Sequence, residues 1–210
     1  MGKRYLPFFP LKLVAFPGEQ LNLHIFEPRY KQLINECVNE QKTFGIPVFE
    51  EGMKEFGAEM EVMDVVKRYP AGEMDISTRC IGTFQVFTFD EKAPGKLYAG
   101  GQIESIESFY DAEHEQWSAL KVLAKELISI LKMEEKLDVE LISSSFELAH
   151  KLGLSLEQEY DMLQMTRESQ RQHYMINHLE RALPLIREME GAKNRIKMNG
   201  HFQHHDPLNF

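Results

Sequence analysis

At 210 residues and 43% hydrophobic content, the chain has material for one or two compact domains, each with a core. Its net charge of -9 is spread evenly, with 12 basic and 16 acidic residues in 1–110 and 12 and 17 in 111–210. Neither half carries the basic footprint of a nucleic-acid binder, so DNA is excluded as a partner and the charge argues against RNA. No apolar run approaches the roughly 20 residues that span a bilayer, and prolines follow Met1 to Leu6 where a signal peptide would continue its apolar core. A cytoplasmic protein with no membrane partner is expected.

Pro7, Pro10 and Pro17 each remove a ladder donor, so the first strand must lie at an edge or be broken into short pieces. Pro17-Gly18 is a turn signal: proline presets φ at one corner and glycine supplies freedom at the next. Leu21, Leu23 and Ile25 then alternate with Asn22, His24 and Phe26, the period of a strand with one dry face. Pro28 suits a first helical position, and Tyr30, Leu33, Ile34, Cys37 and Val38 follow at helical spacing, predicting a helix from Pro28 to about Glu40. Glu27-Pro28-Arg29-Tyr30 reads most simply as a helix start that fixes the angle of the helix on the sheet.

Short strand-like runs come next, at Thr43–Phe49, Ala58–Tyr69, Met74–Cys80, Phe84–Phe89 and Leu97–Ile106. The expected breaks are Glu50-Glu51-Gly52, Pro70-Ala71-Gly72-Glu73, Ile81-Gly82-Thr83 and Ala93-Pro94-Gly95-Lys96, and the spacing suggests a curled, barrel-like sheet. After residue 108 the period becomes helical. Trp117, Leu120, Ala124, Leu127 and Leu131 form one stripe, and Ile176, Leu179, Leu183 and Ile186 form that of a last long helix, with a kink expected at Pro184. Between them Ser144-Ser145-Phe146-Glu147 and Ser155-Leu156-Glu157-Gln158 read as capping boxes, and Gly153 as a helix stop. The predicted division is a β-rich domain at 1–110, a helical one at 111–190 and a polar flexible tail at 191–210.

Phe16-Pro17-Gly18-Glu19, followed by Leu23-His24-Ile25-Phe26-Glu27-Pro28-Arg29-Tyr30, closely resembles the opening of the Lon-protease N-terminal, substrate-binding domain. Phe44-Gly45-Ile46-Pro47, Gly57-Ala58-Glu59-Met60 and Met74-Asp75-Ile76-Ser77 continue the pattern, and the resemblance runs from residue 4 to about 188. Gly82-Thr83-Phe84 departs from it where many relatives have glycine and then arginine. The resemblance implies an α+β fold, a PUA-like pseudo-barrel sheet with one early helix followed by a C-terminal helical bundle. It also implies binding of unfolded or partner polypeptides. Because some PUA-like domains bind RNA, a small-ligand or RNA-binding domain is the alternative.

Lon proteases carry an ATPase and a Ser-Lys peptidase after this region, and a stand-alone, non-catalytic adaptor lacking both is expected here. The residues agree: Gly52 to Gly57 is followed by Ala58-Glu59 where a phosphate loop needs Lys and Ser or Thr, and Ser143-Ser144-Ser145 is a capping run. Cys37 and Cys80 lack CxxC spacing and read as buried thiols. His201, His204 and His205 have metal-ligand spacing but sit between Gly200 and Pro207 in a polar tail, so no metal or cofactor is expected. Glu50-Glu51 and Glu134-Glu135 read as solvated faces. The candidate contacts for polypeptide are Phe49, Met53 and Phe56 around one strand-to-strand loop, with Met162 and Met165 on the helices, since Met adapts to irregular apolar partners. A homo-oligomer is left open.

Overall fold

The computed structural model describes residues 2–133 and 137–201. They form two compact units: residues 2–110 with 144–168, and residues 111–133 and 137–143 with 169–201.

The first unit is built on six strands, β1 (Arg4–Phe8), β2 (Gln20–Ile25), β3 (Phe44–Phe49), β4 (Met53–Arg68), β5 (Met74–Val86) and β6 (Ala99–Ile106). Their order is β2-β5-β4-β3-β1-β6, and β5 also pairs with β6, closing five strands into a barrel. Closure depends on the length of β5. Its first half pairs with β2 from Met74 to Arg79, and its last residues, Thr83 to Val86, pair with β6. β1 is short, as its prolines require, and meets β3 in parallel only at Phe8 and Gly45.

All five barrel strands meet at one interior layer. Leu6, Phe8, Phe84 and Ile103 form its core cluster, and the Phe8 and Phe84 rings stack with centroids 5.8 Å apart. β3 and β4 contribute glycine there: a Cβ on Gly45 or Gly57 would stand 2.7 Å from the Phe84 ring. The small residues make the space that the phenylalanine fills. A second core lies under α1 (Pro28–Glu40), whose Tyr30, Leu33, Ile34 and Cys37 join Phe44, Ile46, Met60, Met74 and Ile76.

One expected break is absent. Ile81-Gly82-Thr83 lies inside β5, which runs unbroken from Met74 to Val86, so the strands expected at Met74–Cys80 and Phe84–Phe89 are largely one. The signal came from a bulge: Glu59 pairs with Gly82 and Met60 with Cys80, leaving Ile81 as an extra residue. The same ladder has two more bulges, at Met63 and Val66 of β4.

The capping boxes at Ser144 and Ser155 are both present, opening a 3-10 helix (Ser145–Lys151) and α3 (Leu156–Gln164) that belong to the barrel unit. Gly153 lies beyond the first of these with φ +75°. Where the chain leaves and re-enters this unit, the Glu168 amide donates to the Phe109 carbonyl at 3.0 Å. The Ser145 amide and hydroxyl each donate to the buried Glu168 carboxylate at 2.9 Å.

The second unit contains α2 (His114–Ile130) and most of α4 (Glu168–His201). α2 buries Leu120, Ala124, Leu127 and Ile128; Leu131, expected on that stripe, is the C-cap and 43% exposed. α4 buries Met175, Leu179 and Leu183, passes through Pro184, and keeps residues 191–201 helical. Among the described residues no helix is long and apolar enough to cross a membrane.

Candidate functional site

Phe16-Pro17-Gly18-Glu19 is a β-turn in which the Glu19 amide donates to the Phe16 carbonyl at 2.9 Å, with Gly18 at φ +88°. Proline at the second position and glycine at the third are what this turn demands. The Glu19 carboxylate accepts the Phe16 amide at 2.9 Å and His150 Nε2 at 3.1 Å, while His150 Nδ1 donates to Glu159 at 2.7 Å. Phe16 is buried, stacked on Phe146 with centroids 5.1 Å apart, and the His150 ring lies 5.0 Å from it. The hydrogen bond to Glu19, aided by that to Glu159, outweighs burial and pushes the His150 pKa up to about 9. The imidazolium therefore clamps the turn to the 3-10 helix and α3.

At the head of α1, Glu27 and Arg29 form an ion pair at 2.8 Å, and the Arg29 guanidinium lies 4.5 Å from the centroid of the Tyr30 ring. Tyr30 stacks on Phe9 at 3.8 Å, and Pro28 occupies the first turn, so this motif fixes how the helix leaves the sheet. Across the adjacent β2–β5 pair, Asp75 accepts from His24 Nδ1 at 2.6 Å and from the Tyr69 hydroxyl at 2.8 Å. These two hydrogen bonds, His24 first, hold the Asp75 carboxyl below its usual range. Phe26, 58% exposed, stacks on the His24 ring with centroids 6.0 Å apart.

The candidate contact residues fall in different environments. Phe49 and Met53 face each other across the hairpin closed by Glu50, Glu51 and Gly52; Phe49 is exposed, whereas Met53 packs against the barrel core. Phe56 is half-buried and meets Tyr160 of α3 edge-on at 6.1 Å. Met162 is wholly buried and offers no surface to a partner; Met165, one residue past α3, is half-buried. The structure thus brings Phe49, Met53 and Phe56 onto neighbouring stretches of β3 and β4 but does not put Met162 with them.

Sequence reasoning missed a different set. The three bulged residues of the β4–β5 ladder, Met63, Val66 and Ile81, are all exposed, at 47%, 64% and 46%. A bulge re-aims a side chain that regular alternation would place otherwise, so three apolar groups are turned to solvent. Beside them, a groove of about 560 Å³ runs between the C-terminal half of α1 and β4, with Val38, Val62 and Val65 in its lining.

Several described groups able to do chemistry are already engaged. Burial raises the Cys37 and Cys80 thiols to about 12, far from reactive thiolates. Burial also pushes Glu36 up, but hydrogen bonds from Lys96, Tyr98 and Gln32 outweigh it and hold its carboxyl below the ordinary value. Glu50 is paired with Lys12 at 2.9 Å. Among the described residues no group of three His, Cys, Asp or Glu could hold a metal ion. Glu134-Glu135, His204 and His205 lie outside the described residues, as does the His201 side chain.

A closed five-stranded barrel with an early helix laid on its sheet and helices after it places the chain among α+β proteins built on a small closed sheet. The chain belongs to the family of the ATP-dependent protease La (LON) substrate-binding domain, whose pattern matches residues 5–188. It is similar to the crystal structure of a Lon N-terminal domain protein from Xanthomonas campestris at 23% identity and a TM-score of 0.65, covering 83% of this chain and 98% of that one. It is also similar to the N-terminal domain of Mycobacterium avium complex Lon protease, at 15% identity and a TM-score of 0.64, covering 84% and 98%. At these identities the two structures speak for the fold.

Proposed function

We propose that this protein recognises non-native polypeptide through apolar surface of the barrel unit and performs no chemistry on it. The observation that carries this reading is the bulged β4–β5 ladder, which holds Met63, Val66 and Ile81 in solvent within a family defined by substrate binding. Phe26 and Phe49 add exposed aromatic area on the same unit, and Met53, Phe56 and Met165 supply partly covered neighbours. Burying side chains of this kind is worth roughly 1.5–3 kcal/mol each, and after the costs of association several together give weak to moderate affinity. The net charge of -9 supports polypeptide over RNA as the ligand.

The test is a titration of reduced, carboxymethylated lactalbumin and of a structured RNA at two salt concentrations, repeated with Phe26→Ser and Val66→Ser together. The unfolded protein should bind with little salt dependence, and the double variant should bind it several-fold more weakly with an unchanged melting temperature. Salt-sensitive RNA binding with no affinity for the unfolded chain would overturn the proposal.

A further inference from the structure

β3 pairs along β4 only as far as Phe44 opposite Met60. From there to Arg68, β4 pairs with β5 on one side, and among the described residues no strand pairs with its other edge. That edge borders the groove beside α1, where Val38, Val62 and Val65 supply apolar walls. A row of unpaired main-chain donors and acceptors next to a helix is a template for one more strand.

We infer that this groove takes a short, uncharged, apolar segment of non-native polypeptide as an added strand on β4, in line with β3; the inference rests on the polypeptide-binding reading above. Three features select that occupant. The added strand continues a ladder that β3 already makes on the same edge, so its main-chain partners are preset. The lining charges cancel, Lys42 and Arg68 against Glu61 and Asp64, and Glu61 is further held by Arg79 at 2.7 Å, so nothing there solicits a charged segment. The bulges at Met63 and Val66 break the edge into short regular runs, which disfavours a long strand such as the edge of a second copy and leaves room for only a few residues. α1 closes the far side, so side chains on one face of the segment meet Val38 while main-chain groups meet β4.

The test separates edge pairing from general stickiness. A short fluorescein-labelled peptide of alternating valine and threonine is compared with two versions N-methylated on alternate amides, one on each edge of its extended form. The parent should bind, methylation of one edge should weaken it about tenfold or more, and methylation of the other should leave it unchanged, because an added strand uses only one of its edges. Val38→Arg, placed in the helix wall, should weaken both the peptide and carboxymethylated lactalbumin. Equal binding by all three peptides, or equal loss by both methylated ones, would overturn the inference, and if lactalbumin still bound, the broader proposal would stand. A dimer in sedimentation that Val38→Arg dissolves would assign the edge to a second copy and also overturn it. If neither peptide nor lactalbumin bound, both readings would fall.

Discussion

His150 shows how one side chain can tie distant parts of this sequence. Its two ring nitrogens donate to Glu19 and Glu159, and its pKa of about 9 in the folded protein lies above the ordinary 6.5. The clamp therefore contributes fully below about pH 6.5 and fades as pH rises through about 9. His150 keeps 36% of its side chain in solvent, so screening holds the contribution to about 1 kcal/mol or less. Thermal melts should show wild type above His150→Gln by a margin that is largest in mild acid and shrinks in alkali; a margin independent of pH would remove the charge from the explanation. At this scale the Pro17-Gly18 turn was legible because its chemistry is local. Glu19 and His150 were not, since they are 131 positions apart and neither sits in a local pattern that names its partner.

The β4–β5 ladder marks the limit of pattern reading at the level of elements. Glycine inside an apolar run signals either a break or a bulge, and Ile81-Gly82-Thr83 is the latter. The two glycine environments in this ladder should respond oppositely to alanine. A Cβ on Gly57 would stand 2.6 Å from the Ile46 carbonyl oxygen and 2.7 Å from Pro47 Cα, main-chain atoms that cannot step aside. Gly57→Ala should cost about 1–3 kcal/mol by overpacking. Gly82 has nothing within 4 Å of such an atom and no positive φ, so Gly82→Ala should be neutral or stabilising by up to about 1 kcal/mol. Chemical denaturation of the two variants checks both signs. Helix positions were better legible than strand limits, because α1 and both capped helices announce their starts with proline or a serine box.

For the whole molecule, the switch of hydrophobic period near residue 108 was visible in the sequence. The membership of residues 144–168 in the barrel unit was not, because a capping box states where a helix begins and is silent about what its face covers. Hydrogen exchange should show Ser145–Lys151 and Leu156–Gln164 opening together with the barrel strands; exchange in step with α2 would contradict that grouping. The exposed bulge residues of β4, Met63 and Val66, were equally hidden, since their register shifts arise from pairing with β5 and no glycine in that stretch marks them. The knot of hydrogen bonds joining Phe109, Ser145 and Glu168 carries one more consequence. Residues 111–143 depart from and return to the same spot, so for the barrel they are a cassette hung on a closed ring. Doubling the length of such an excursion adds only about 0.6 kcal/mol of closure entropy. Evolution, or an engineer, is free to lengthen that stretch while the barrel strands keep their pairing partners.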